Sequence, residues 1–180
     1  MRRLADRDQI HRFMNALAGR ATRQACVYLT GGATAVLLGW RASTIDVDIL
    51  FIPDDDRLLR RLPELKEELE INLELACPAH FIPELPEWEQ RSLFIAQQGP
   101  LSFFHYDLYA QALAKIERGH SLDVSDVQEM FRRGLVNPEQ LIKLFDAIVP
   151  QLYRYPAIDP RAFRQAVEEA VDAFERSQPE

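Results

Sequence analysis

The stretch YLTGGATAVLLGWRASTIDVDILF, residues 28–51, decides the fold of this chain. It contains an apolar run that ends at Gly31-Gly32, a small-residue segment suited to a helix, and a second apolar run that includes Asp46 and Asp48. Side chains alternate between the two faces of a strand, so both aspartates are predicted on one face and their apolar neighbours on the other. The stretch therefore predicts strand, turn, helix and strand, with two carboxylates that point the same way.

The two carboxylates need a chemical explanation, because acids that lose water side by side repel each other strongly. Mg²⁺ between them would remove that repulsion, since it is a hard ion that prefers oxygen ligands and keeps phosphate and water in its shell. Gly31-Gly32 would leave free backbone N–H groups at a helix start beside the acids, where a triphosphate can be received. A solvated strand face and an ordinary tight turn explain the same residues, so both interpretations stay open.

The composition is that of an ordinary folded protein, with 180 residues, 47% of them hydrophobic and 27% charged. No apolar segment reaches the length of a membrane span, and the first residues lack the apolar centre of a signal peptide, so we expect a cytoplasmic protein. Cys26 and Cys77 have no partner at metal-binding spacing and are predicted to be free thiols. The net charge of -7 disfavours a protein that coats nucleic acid non-specifically.

The first part of the chain mixes helix and strand signals. Helical periodicity predicts helices at residues 8–17, 33–40 and 54–70. Alternation and β-rich runs predict strands at residues 25–30, 44–51, 71–78, 91–97 and 101–106. The strand at 71–78 is predicted to turn one apolar face inward, formed by Ile71, Leu73 and Leu75. The Pro-rich segment 80–90 is predicted to be a loop.

From Asp107 onward the pattern is helical. Helices are predicted at residues 107–119, 123–134 and 137–149 and from residue 159 onward. Their expected N-caps include Asp123, Asn137 and Asp159. The predicted fold class is α/β (α+β): a small mixed sheet flanked by helices over residues 1–106, followed by a helical bundle over residues 107–180 that packs on this core.

Several of these residues together resemble the motif of the nucleotidyltransferase fold, the superfamily of DNA polymerase β and the minimal nucleotidyltransferases. They are Gly31, Gly32, Arg41, Ser43, Thr44, Asp46 and Asp48. More closely, the chain resembles the small bacterial abortive-infection nucleotidyltransferase toxins and their uncharacterised relatives. In those proteins the order along the chain is GG, a short helix, R-x-T-x-D-x-D and a later helix that carries a lysine. The resemblance covers roughly the first two thirds of the chain.

The resemblance implies a third carboxylate from a neighbouring strand. Glu74 is the first candidate, because it lies on the polar face of the strand predicted at 71–78. A solvent-facing glutamate on an edge strand is the equal alternative. Asp107 is the second candidate, and helix capping explains it as well.

The resemblance also implies residues that bind the triphosphate. Lys115 matches the lysine on the helix after the sheet, and Arg118 would assist it, although a solvated helix face explains both. Gly32 stands where many nucleotidyltransferases have serine, so phosphate binding would rest on backbone amides and on Ser43 or Thr44. Arg41 would bind phosphate or acceptor, or anchor its loop to an acidic neighbour.

The implied activity is Mg²⁺-dependent transfer of a nucleoside monophosphate from a nucleoside triphosphate to an acceptor hydroxyl. Two Mg²⁺ ions, or Mn²⁺ in their place, would be held by Asp46, Asp48 and Glu74. The resemblance suggests the end of tRNA or another RNA, or a protein, as acceptor, and an antitoxin-like partner. The alternative is an inactive member of the fold that serves as a nucleotide-binding or partner-binding regulatory module.

Overall fold

A computed structural model describes residues 4–178 and divides the chain into two compact units. The core unit comprises Met1–Cys77 and Ser92–Tyr106, and the helical unit comprises Pro78–Arg91 and Asp107–Glu180. The chain passes from the core unit to the helical unit after Tyr106, and the earlier segment Pro78–Arg91 also belongs to the helical unit. The predicted organisation, a core over residues 1–106 and helices over residues 107–180, stays a prediction. The segment Pro78–Arg91 joins the helical unit through side chains. Tyr155 donates a hydrogen bond to the carbonyl of Ala79 (2.9 Å), and Arg91 pairs with Asp107.

The core unit contains short strands interspersed with helices. Its strands are β1 (Ala5–Asp6), β2 (Ala25–Thr30), β3 (Ser43–Thr44), β4 (Asp46–Ile52), β5 (Asn72–Leu75), β6 (Leu93–Gln98) and β7 (Leu101–His105). Its helices are α1 (Arg7–Arg20), α2 (Gly31–Leu38), α3 (Asp56–Leu59) and α4 (Leu62–Leu69). The mixed α/β pattern predicted for this part of the chain is confirmed.

The main sheet has five strands in the order β5-β4-β2-β7-β6. Strand β2 is antiparallel to β4 and parallel to β7, and β5 is parallel to β4, so the sheet is mixed as predicted. The predicted strand at 44–51 is interrupted near its start. Its first part instead contributes to β3, which pairs with β1 in a separate two-stranded sheet. The exposed Ile45 lies between the two sheets in sequence.

One face of the main sheet carries the hydrophobic core. Buried side chains of β2, β4 and β7 pack with those of α1, where Ile10, Phe13, Met14 and Leu17 form one helical stripe. Ile71, directly before β5, and Leu73 within it are buried in this core as predicted, whereas Leu75 is 52% exposed. The strand ends at Leu75, so alternation no longer determines where this side chain lies.

The segment predicted as one helix over residues 54–70 forms two. Asp55 caps α3 by accepting hydrogen bonds from the N–H groups of Arg57 and Leu58. A new helix, α4, then begins with Pro63 in its first turn. Proline lacks the N–H that a continuous helix needs and is tolerated in a first turn, which accounts for the break.

The helical unit contains α5 (Trp88–Arg91), α6 (Leu108–Arg118), α7 (Ser121–Arg132), α8 (Pro138–Ile148) and α9 (Pro160–Ser177). Asn137 and Asp159 are N-caps as predicted. The prediction for Asp123 is wrong: the N-cap of α7 is His120, three residues earlier, and Asp123 is buried. The segment predicted as a loop holds α5 and follows a short 3₁₀ turn. Within residues 4–178, no helix combines the length and hydropathy needed to cross a bilayer.

Candidate active site

The acidic side chains of β4 lie on the less buried face of the main sheet. Burial alternates along the strand, so that Val47 and Ile49 are fully buried while Asp46 and Asp48 are half-buried. This is the arrangement predicted from alternation. Apolar residues thus fix the strand in the core, and the two carboxylates project from the opposite face.

Strand β5 places a third carboxylate in the same row. In the parallel register of β4 and β5, Asp46 lies opposite Asn72 and Asp48 lies opposite Glu74. Residues opposite each other in a sheet point to the same face, and neighbouring strands are about 4.8 Å apart. Asp46, Asp48 and Glu74 therefore share one face of two adjacent strands.

Asn72 links two of these acids. Its Nδ2 donates a hydrogen bond to Asp46 Oδ1 and another to Glu74 Oε1 (3.2 Å). In the described part of the chain, no three His, Cys, Asp or Glu side chains are grouped so as to hold a metal ion. The donors on this face are nonetheless all oxygens of the kind that Mg²⁺ prefers. In chemistry and in strand placement they fit that ion, and an ion that takes Asp46 Oδ1 and Glu74 Oε1 would displace the Asn72 amide.

The third element of the site is the start of α2. This helix begins at Gly31, directly after Thr30, which lies opposite Asp48 in the register of β2 and β4. Gly31 has a φ of +62°, and a Cβ at this position would lie 2.7 Å from Asp48 Oδ2. Glycine is required by both facts, because a side chain would be strained and would collide with the acid. The Asp48 carboxylate thus lies against the N-terminal end of α2, where the helix dipole favours a negatively charged group.

Gly32 is required for a different reason. A Cβ at Gly32 would lie 1.9 Å from Thr44 Oγ1 and 2.6 Å from Thr44 Cβ. Thr44 is buried, and its hydroxyl donates a hydrogen bond to the carbonyl of Asp46 (3.0 Å). The side chain of Thr44 therefore fills the space that a side chain at position 32 would need. This accounts for glycine where the resemblance leads one to expect serine.

Ser43 and Arg41 lie in the segment that leads from α2 to β4. Ser43 is in β3, opposite Asp6 of β1, and is half-buried. Arg41 precedes β3 and is also half-buried. The predicted phosphate-binding residues Arg41, Ser43 and Thr44 are thus within a few residues of Asp46, and Thr44 lies against Gly32 at the start of α2.

Lys115 and Arg118 form an ion cluster inside the helical unit. Lys115 Nζ lies 2.7 Å from Asp126 Oδ2 and 3.3 Å from Asp123 Oδ1, and all three side chains are buried. Arg118 donates two hydrogen bonds of 2.7 Å to Asp123. Burial alone would raise the pKa of the Asp123 carboxyl, but the hydrogen bond from Arg118 and the charge of Lys115 outweigh it and lower that pKa. The cluster joins α6 to α7, and a role in triphosphate binding stays a prediction.

Asp107 has the capping role that was its alternative interpretation. Its Oδ1 accepts a hydrogen bond from the N–H of Tyr109 at the start of α6 (3.1 Å). Its Oδ2 accepts two from Arg91, at 3.1 and 2.7 Å. The carboxyl is fully buried, and burial raises its pKa although Arg91 opposes the shift. The structure thus gives Asp107 a structural role in the helical unit.

A buried histidine of the core unit was not identified from the sequence. His105 Nδ1 lies 3.1 Å from Thr34 Oγ1, and both side chains are buried. Burial lowers the pKa of His105 to about 4, so the ring is neutral at pH 7. Asn72 was likewise given no role, because its place opposite Asp46 depends on the register of β4 and β5.

The mixed sheet, the paired aspartates and the glycine turn are the features that the resemblance to the nucleotidyltransferase fold implied. Residues 7–173 match the family described as a nucleotidyltransferase of unknown function (DUF6036), and the chain belongs to that family. No curated protein and no solved structure matches the chain significantly. Membership of the nucleotidyltransferase superfamily is thereby confirmed, and the closer relation to the abortive-infection toxins stays a prediction.

Proposed function

We propose that the protein transfers a nucleoside monophosphate from a nucleoside triphosphate to an acceptor hydroxyl in a Mg²⁺-dependent reaction. The observation that carries this proposal is the position of Asp48 against Gly31 at the start of α2, with Asp46 and Glu74 on the same sheet face. An acidic metal-binding face beside a helix N-terminus offers a triphosphate both a cation and backbone donors.

The proposed metal ligands are Asp46, Asp48 and Glu74, which supply only oxygen donors. Two Mg²⁺ ions, or Mn²⁺ in their place, suit such a donor set. When bound, the metal supplies charge that lowers the pKa of the acceptor hydroxyl and neutralises the leaving pyrophosphate. The carboxylates of Asp46, Asp48 and Glu74 would determine where that charge lies, because the register of β4 and β5 places them in one row.

The proposed triphosphate site lies at the start of α2. Backbone N–H groups at Gly31-Gly32 would bind phosphate oxygens, as at other helix N-termini. Arg41, Ser43 and Thr44 are proposed as further phosphate ligands. Lys115 and Arg118 remain proposed ligands by resemblance alone, because their described contacts are with Asp123 and Asp126.

The proposed reaction is an in-line displacement at the α-phosphorus. A bond forms between the acceptor oxygen and the α-phosphorus while the bond from that phosphorus to pyrophosphate breaks. The proton of the acceptor hydroxyl passes to one of the carboxylates on the sheet face, which acts as general base. The acceptor and the triphosphate must therefore both approach the face that carries Asp46 and Asp48.

The proposed acceptor is an RNA end, such as that of tRNA, or a protein hydroxyl. The net charge of -7 opposes strong RNA binding by this chain alone, because RNA affinity depends on neutralised phosphates. An antitoxin-like protein partner is proposed on the same resemblance that suggests the acceptor.

Calorimetric titration tests the proposal most directly. The four nucleoside triphosphates are titrated with Mg²⁺ into the wild type, into Asp46→Asn/Asp48→Asn and into Asp54→Asn/Asp56→Asn. The last variant is a matched control, since it removes two exposed acids with the same spacing and the same change of charge. We expect Mg²⁺-dependent binding of at least one nucleotide to the wild type and the control, and none to the first variant. Equal binding by all three proteins would refute the proposed site.

Two observations favour a second candidate, an inactive member of the fold that acts as a regulatory module. Thr44 fills the space beside Gly32, so no hydroxyl stands at position 32, and Lys115 is engaged by two buried aspartates. The nucleotide identified by calorimetry, labelled at the α-phosphate, is then incubated with RNA and with protein extracts. Label that becomes covalently attached in an Asp46-dependent manner supports the transferase, whereas binding without transfer supports the module.

A further inference from the structure

Asn72 lies in the row of the sheet that carries the carboxylates, and it contacts two of them. It is opposite Asp46 in the register of β4 and β5. Its Nδ2 donates to Asp46 Oδ1 and to Glu74 Oε1, so one nitrogen links acids of two neighbouring strands. Ionised carboxylates can only accept hydrogen bonds, so the half of the amide that faces them is the NH₂ group.

A hydrogen-bond donor between two carboxylates has the same kind of electrostatic effect as a cation. It places partial positive charge between groups that otherwise repel each other, and hydrogen bonds to ionised acceptors are stronger than those between neutral groups. The oxygens that the Asn72 amide contacts, Asp46 Oδ1 and Glu74 Oε1, are also available as ligands of a divalent ion. An ion that both oxygens coordinate must therefore displace the amide.

We propose that Asn72 is a positioning residue that holds Asp46 and Glu74 on the sheet face in the metal-free protein and competes with the divalent ion for their oxygens. This inference rests on the proposed function, because it concerns the same acids. Asn72 thereby does two opposite things. It stabilises the metal-free protein, and it weakens metal binding.

The test uses Mn²⁺ as the probe, because free Mn²⁺ can be counted by electron paramagnetic resonance. Mn²⁺ is titrated into the full chain as wild type, Asn72→Val and Asn72→Ser; valine suits a strand but cannot donate, and the serine side chain is too short to reach both acids. We expect both variants to bind Mn²⁺ more tightly, on the order of tenfold, which corresponds to about 1.4 kcal/mol. In EDTA both variants should unfold at lower temperature than the wild type.

The matched control is Gln97→Val, the same kind of change at an exposed position of β6, at the opposite edge of the sheet. Its Mn²⁺ affinity should equal that of the wild type. If Asn72→Val and Asn72→Ser bind Mn²⁺ as the wild type does, or more weakly, the competition is refuted. If the wild type and Asp46→Asn/Asp48→Asn bind Mn²⁺ equally or not at all, the proposed metal site itself is refuted, so the two failures are distinguishable.

Discussion

Substitution of Gly32 by alanine tests the close contact on which the geometry of the site depends. The new Cβ would lie 1.9 Å from Thr44 Oγ1 and 2.6 Å from Thr44 Cβ, far inside the normal contact distance. Thr44 is buried and its hydroxyl is bonded to the carbonyl of Asp46, so it can move only if that hydrogen bond breaks. Overpacking of this kind costs about 1–3 kcal/mol, and a lost hydrogen bond about 1 kcal/mol more. We expect the free energy of unfolding to fall by about 3 kcal/mol.

Urea unfolding of wild type, Gly32→Ala, Thr44→Gly and the double variant measures this contact. Thr44→Gly is preferred to Thr44→Ala because the alanine would keep the Cβ at 2.6 Å. If the reasoning holds, Gly32→Ala costs less in the Thr44→Gly background, and the double-mutant cycle gives a coupling of about 1.5–3 kcal/mol. Gly19→Ala is the matched control, because nothing lies within 4 Å of its Cβ in α1. Alanine there should stabilise the helix by about 0.5–1 kcal/mol. Additive effects of Gly32→Ala and Thr44→Gly would refute the reasoning.

Two further predictions concern buried ionisable side chains. The folded pKa of His105 is about 4 and the ordinary value is 6.5, so its contribution to stability is complete above pH 6.5 and is lost as the pH falls toward 4. The free energy of unfolding should fall by up to about 3 kcal/mol, at 1.36 kcal/mol per pKa unit. His105→Gln should remove this pH dependence when urea midpoints are compared between pH 7.5 and 4.5. A variant with the same pH profile as the wild type would contradict the prediction. Lys115→Met leaves Asp123 and Asp126 buried without their shared cation and should lower the free energy of unfolding by about 3–5 kcal/mol, whereas Lys143→Met at an exposed position should change it by less than about 0.5 kcal/mol. Equal effects at the two lysines would show that the ion cluster contributes nothing.

The fold could be predicted from the sequence where local periodicity determines it. The strand at residues 25–30 and the N-caps Asn137 and Asp159 were recovered because alternation and capping are properties of neighbouring residues. Asp123 was misassigned because its burial depends on Lys115 and Arg118, which lie on the preceding helix. Capping and ion pairing favour the same residue type, so sequence alone could not separate them.

The candidate site shows the same limit. The shared face of Asp46 and Asp48 follows from alternation, but the contact of Gly32 with Thr44 depends on how α2 packs beside β3. The link from Asn72 to Asp46 depends on the register of two strands that are 26 residues apart in the chain. Neither relation leaves a periodic signal, because it arises only when separate elements are brought together.

The division of the chain into two units has a consequence for any attempt to express them separately. The chain passes between the units after Cys77, after Arg91 and after Tyr106. A fragment that ends at Tyr106 would retain Arg91 but lose its buried partner Asp107, and the carbonyl of Ala79 would lose the hydroxyl of Tyr155. A fragment that starts at Asp107 would lack the same contacts from the other side. No single cut therefore releases an autonomous domain, and a truncation that abolishes activity would say nothing about where the reaction takes place.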